Sequence, residues 1–94
     1  MSQSVELELP EILTVAHVQA LHEQLEALID DENNDSIVAH AKSVRRVDTA
    51  GLQLLLAAKA AATERQITWV WDQPSEVLLD GARLLGMTAQ LDIQ

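Results

Sequence analysis

Apolar and polar residues alternate strictly over Val5-Glu6-Leu7-Glu8-Leu9, the two-residue period of a strand with one face buried and one wet. Pro10-Glu11 interrupts the run, and Ile12-Leu13 reads as a short second strand. Thr14 is placed to cap a helix, since its hydroxyl can accept an N–H of the first turn. Beyond it Val18, Leu21, Leu25, Leu28 and Ile29 recur at helical spacing, with Glu23, Gln24 and Glu26 facing water. Asp30 to Asp35 is a polar loop. Ile37-Val38-Ala39-His40-Ala41 is a continuous apolar run of strand length, the pattern of a strand covered on both faces.

Lys42 to Arg46 reads as a loop leading into a second helix, from Ala50 to about Arg65, built from the strong helix formers Ala and Leu. Leu52, Leu55, Leu56 and Ala60 form its expected buried stripe, and Lys59, Thr63, Glu64 and Arg65 mark its wetter side and its end. In the next strand Ile67, Trp69 and Trp71 share one face, and Thr68 and Val70 the other. Gln73-Pro74-Ser75-Glu76 starts a third helix, Pro being suited to a first turn. Val77 to Leu85 carries a stripe of Leu78, Gly81, Ala82 and Leu85, with Gly81 implying a close approach to the sheet. Gly86 ends that helix, and Met87 to Ile93 alternates as a closing edge strand would. The order β-β-α-β-α-β-α, with a final strand, is that of an α/β domain. It predicts a parallel or mixed sheet of four to five strands packed against three helices. At 94 residues, one domain over residues 1–94 is expected.

Composition narrows the function classes. Without cysteine there are no disulfides or thiolate metal sites, which fits a reducing compartment. The stretch Met1 to Glu6 lacks the basic and apolar regions of a signal peptide. No segment approaches the ~20 apolar residues of a membrane span, so a soluble, cytoplasmic chain without membrane insertion is expected. The net charge of −9 is unevenly spread: residues 1–41 hold nine acids and no Lys or Arg, and the remainder balances six acids with six bases. Such a field repels phosphate backbones and argues against nucleic acid. It suits either a solubilising surface or a partner with a basic patch.

Candidate chemistry is sparse. The acidic loop fails as a calcium site, because counting from Asp30 or Asp31 puts Asp35 or Ser36 where the turn needs Gly, and Ala41 or Lys42 where it needs Glu. His17 and His22 are five apart, off the spacing that puts two ligands on one helix face, and His40 sits in a strand. No metal, cofactor or nucleophile arrangement emerges, and no enzyme is expected. Two indoles on one strand face form either a ligand platform or core cover under a helix, and their apolar area favours cover.

The remaining feature is Arg46-Val47-Asp48-Thr49-Ala50-Gly51-Leu52-Gln53, at the entry to the second helix. Asp48 and Thr49 are both competent N-caps, and Gly51 admits a close backbone or partner. Open N–H groups and the helix dipole favour an anion here, and Lys42, Arg45 and Arg46 stand nearby, either as solvated loop charges or as part of such a site. The phrase Asp48-Thr49-Ala50-Gly51-Leu52 before an apolar helix resembles the STAS family, the regulatory domain of anti-sigma factor antagonists and sulfate-transporter tails. Its Thr-Ala pairing looks most like the MlaB-like branch, named for the STAS subunit of a bacterial lipid-transport ABC complex. Pro74-Ser75, Leu78-Leu79 and Leu84-Leu85-Gly86-Met87 extend the resemblance over nearly the whole chain.

The resemblance implies a non-catalytic bacterial regulatory module, a monomer or weak dimer, docking Asp48, Thr49, Ala50, Gly51, Leu52 and Gln53 with Arg45 and Arg46 on a partner. That partner would be an anti-sigma-factor-like kinase or signalling protein, or the ATPase subunit of an ABC complex. In anti-sigma antagonists a kinase phosphorylates the hydroxyl residue just before the motif's Gly. Here that position is Ala50, leaving Thr49 as the nearest acceptor. A third reading is a small-ligand or nucleotide binder at the same helix N-terminus.

Overall fold

The computed structural model describes residues 3–93. Met1 and Ser2, part of the stretch on which the no-leader expectation rests, lie outside the described residues. Nine elements follow in order: β1 (Gln3–Glu8), β2 (Ile12–Leu13), α1 (Val18–Asp30), β3 (Asn34–His40), β4 (Arg46–Val47), α2 (Thr49–Glu64), β5 (Thr68–Asp72), α3 (Glu76–Leu84) and α4 (Thr88–Leu91). The strands divide into a three-stranded sheet, β1-β3-β5, and a two-stranded one, β2-β4, and every pairing is parallel. Parallel neighbours need crossover connections, and the helices supply them. The class is α/β, as the alternation of elements predicts.

The register explains which face is dry. Val5, Ile37 and Trp69 align across the sheet, as do Leu7, Ala39 and Trp71, and these rows pack on the core with Leu25, Leu52, Leu55 and Leu78. The alternate rows, Glu6-Val38-Val70 and Glu8-His40-Asp72, stay exposed or half-buried. The helices thus cover one sheet face, and the expectation that β3 is covered on both is corrected: Ile37 and Ala39 are buried, Val38 and His40 only partly. β3 also begins earlier than its apolar run, because Asn34 Nδ2 donates to the Leu28 carbonyl (2.9 Å) and ties the end of α1 to the strand.

Other boundaries move for local reasons. Thr14 does not cap α1, which starts at Val18 with His17 at an N-cap position lacking a side-chain bond. Residues 14–17 form a turn, closed by the His17 N–H on the Thr14 carbonyl (2.8 Å). Arg46, expected to end the loop, instead opens a short strand with Val47, because their backbone pairs with Ile12–Leu13. Met87 to Ile93 is not a strand. Met87 and Leu91, four apart, are both buried while Ala89 is exposed, so helical spacing wins and α4 forms.

In α2 the buried set is Gly51, Leu52, Leu55, Ala58 and Ala62; Leu56 is half-buried, and Ala60, expected inside, is exposed. Pro74 precedes α3 and the cap is Ser75, whose hydroxyl accepts the Leu78 N–H (3.1 Å). Leu85, also expected inside, is 43% exposed, and Gly86 follows it in the left-handed conformation (φ 69°) that ends helices. Gly81 approaches β4: an added Cβ would lie 2.9 Å from Val47 Cγ1. Trp69 and Trp71 stack edge to face (centroids 5.5 Å apart), half-buried on the core side, and the Trp71 indole N–H donates to the Leu91 carbonyl (2.9 Å).

Candidate functional site

The entry to α2 is organised by Asp48, every polar atom of which is engaged. Its backbone N–H donates to the Leu13 carbonyl (3.1 Å), continuing the β2-β4 pairing, and its own carbonyl accepts the Leu52 N–H (3.1 Å). Oδ1 accepts the Gly51 N–H (2.9 Å), the helix-capping bond, and Oδ2 accepts the Val15 N–H (2.9 Å) from the turn before α1. The Gly51 and Val15 bonds hold the Asp48 carboxyl below its ordinary pKa of 3.8, with smaller help from the Ala50 N–H. So one carboxylate ties the start of α2 to the turn before α1, 33 residues away in sequence.

Gly51 owes its identity to the same junction. A Cβ there would overlap the Leu13 carbonyl oxygen and stand 2.9 Å from its carbon. The close neighbour is therefore the protein's own backbone. Gly51 and Leu52 are buried and give the site position and not contact surface. Thr49, in contrast, is exposed at the first helical residue, and its hydroxyl has no hydrogen-bond partner among the described residues. Ala50 is half-buried and Gln53 exposed.

Arg45 and Arg46 are exposed on the approach, with backbone N–H groups on the Glu11 carbonyl (2.9 and 3.2 Å) and Arg45 Nε a loose 3.9 Å from Glu11. The open N–H groups expected at this helix start are in part already used: a carboxylate, Asp48, occupies the capping position and any second anion would meet its charge.

One feature of the site has no sequence signal. Val15 is 71% exposed, and Asp48 anchors its backbone beside the turn. Its apolar side chain stands in water while its backbone is held by the capping carboxylate. Its place depends on a bond spanning 33 residues, which no local pattern announces.

The histidines do not converge. His17 lies at the start of α1 by Thr14, His22 pairs with Glu26 along α1 (2.9 Å), and His40 lies on the open sheet face. Among the described residues no group of three or more His, Cys, Asp or Glu is placed to hold a metal. No described helix is long and apolar enough to cross a membrane.

A strand hands over to a capped helix at Asp48-Thr49-Ala50-Gly51. The family profile described as "Mlab, STAS domain" matches residues 1–92. The chain belongs to this MlaB-type STAS family. No individual curated protein matches it. STAS domains are in general non-catalytic and act through protein interaction, and this STAS domain carries a general anti-sigma-antagonist-like or MlaB-like interaction role. The exposed part of its motif is then Thr49 and Gln53 flanked by Val15, on a frame that Asp48 and Gly51 make rigid.

Proposed function

We propose that this STAS domain is an accessory docking subunit that applies the turn at residues 48–53, with Val15 and the outer face of α2, to the ATPase subunit of an ABC complex. The carrying observation is the exposure of Thr49 on a turn immobilised by Asp48. A pre-organised surface binds without the cost of ordering a loop. The MlaB-type match and Ala50 at the usual phospho-acceptor position favour the transporter partner.

A second reading, an anti-sigma-antagonist-like regulator switched at Thr49, draws support from the free hydroxyl at the same place. A phosphate there would put close to two negative charges beside Asp48 and expel a partner packed on the turn. The small-anion reading has the least support, since Asp48 already serves the helix N-terminus.

Affinity capture from the native cell followed by mass spectrometry separates the first two: a transporter nucleotide-binding subunit or a histidine-kinase-like ATPase. Against the captured partner, Thr49→Glu should weaken binding at least tenfold, about 1.4 kcal/mol, with an unchanged circular dichroism spectrum. Unaltered affinity would leave the turn as a helix cap and nothing more.

A further inference from the structure

A groove of about 330 Å³ runs along the seam between α1 and α2, on the side of the helices away from the sheet. Its floor is apolar: Leu25, Ile29 and Ala58 are buried, Leu54 and Ala61 half-buried, and Ala57 exposed. Three small alanines on α2 let a third helix approach closely, as short side chains reduce interaxial distance. The lining follows α2 for roughly 16 Å at the usual helical rise, about three turns. Its centre at Ala58 lies roughly 14 Å along the helix from Thr49, so the groove is a different surface from the turn.

The rim identifies the occupant. Glu26 and Asp30 on α1 and Glu64 on α2 border the groove, against a single permanent cation, Arg65. Arg65 and Asp30 pair with each other (3.2 Å) and Glu26 meets His22 (2.9 Å), which leaves Glu64 without an ion pair among the described residues and the rim net acidic. At the end of the seam Asp31 and Glu32 stand with Ile29, Glu64 and Arg65 and extend the acidic surface, with no Lys or Arg between residues 1 and 41. We infer that this groove seats an amphipathic helix of a partner protein whose apolar stripe is flanked by lysines or arginines. A second copy of this chain is the wrong complement, because a symmetric pairing would bring one acidic α1 against another. Helix-in-groove recognition needs apolar anchors every three to four residues and complementary flanks, and both requirements are legible in the seam.

The test uses the whole chain, isotopically labelled, with two synthetic amphipathic helices of about four turns. They share one Leu/Ala stripe and carry lysine or glutamate flanks. The lysine helix should shift amide resonances in residues 22–30 and 54–65 and bind at least tenfold better than the glutamate helix. Its affinity should fall as salt rises from about 50 to about 300 mM. Ala57→Trp, at an exposed helical position, should abolish binding, and Glu26→Lys with Glu64→Lys should transfer the preference to the glutamate helix. Thr49→Glu should leave this binding unchanged, which separates the groove from the turn. The inference is overturned if neither peptide binds at millimolar concentration, if both bind alike, if the shifts fall outside the seam, or if sedimentation shows a dimer that Ala57→Trp dissociates.

Discussion

Two side chains carry a disproportionate share of the long-range connectivity, and each gives a separate prediction. Asp48 accepts from Gly51 and Val15 in its ionised form, which depresses its pKa below 3.8. A group lowered in the folded state adds stability above its unfolded pKa and loses it as pH falls through the folded value. The Asp48 contribution is therefore complete at neutral pH and disappears on acidification below about pH 4. Asp48→Ala should lower the urea midpoint at pH 7 and much less at the acid end. Thr49→Ala, which removes an unbonded hydroxyl, should stay within about 0.5 kcal/mol of wild type. The reverse ranking in urea titrations would make Thr49 the cap.

His40 works with the opposite sign. Its ring bridges all three strands of the larger sheet, with Nδ1 2.7 Å from Asp72 Oδ2 on β5 and Nε2 2.9 Å from Glu6 Oε1 on β1. Both ring nitrogens can donate only when the imidazole is protonated. The bonds to Asp72 and then Glu6 thus raise the His40 pKa above 6.5. Glu8, its register neighbour on the same face, adds a further carboxylate nearby. Stability from this bridge is complete below pH 6.5 and is lost as pH climbs through the folded-state value. His40→Gln should flatten the fall in urea midpoint expected of the wild type as pH rises above 6.5. A nuclear magnetic resonance titration placing the His40 pKa below 6.5 would contradict the bridge.

Among elements, stability should respond most where one packs closely on another's backbone. Gly51→Ala drives a methyl into the immobile Leu13 carbonyl and should cost about 1–3 kcal/mol as overpacking. Ser75→Ala, which removes the α3 cap, should cost about 1 kcal/mol. Chemical denaturation of both variants checks the order, and an unaffected Gly51→Ala would mean that β2 moves freely against α2. The same distinction between local and distant causes explains what could be read from the chain. The strand at Val5 to Leu9 and the periodic helix from Val18 to Ile29 show in their own spacing, as does the face shared by Ile67, Trp69 and Trp71. The turn at Asp48 was legible because capping is a property of adjacent residues. Strand β4 was hidden, since Arg46–Val47 is a strand only by pairing with Ile12–Leu13. Thr14 resembles a cap in its own neighbourhood, and nothing local tells that residues 14–17 close a turn and that α1 waits until Val18. Met87 to Ile93 fits both periods, and only the burial of Met87 and Leu91 decides for a helix. Val15, exposed and held through its backbone by Asp48, owes its place to a bond spanning 33 residues and leaves no trace in the pattern.

For the molecule as a whole, the uneven charge is the largest unbalanced force. The fold measures 38 × 25 × 20 Å and carries a net −9, with all of the excess in residues 1–41. At about 10 mM salt the screening length is about 30 Å, so the acids of α1 and its following loop repel one another and most other carboxylates across the domain. Near 0.15 M that length falls to about 8 Å, and only adjacent charges still interact. Unfolding separates like charges and relieves the repulsion, so screening should favour the folded state. Thermal unfolding in NaCl from about 10 mM to about 0.15 M should show a rising Tm, with about 1 kcal/mol of relief appearing as a shift of roughly 4–8 °C in a domain of this size. Asp31→Lys with Glu32→Lys should raise Tm at low salt and blunt its dependence on NaCl, because it places cations in the acidic half. The ion pairs present, such as Arg65 with Asp30 and Arg83 with Asp80, are exposed and oppose this trend only weakly. A Tm that falls with added salt would mean that those pairs, and not the acidic excess, govern the electrostatics of the fold.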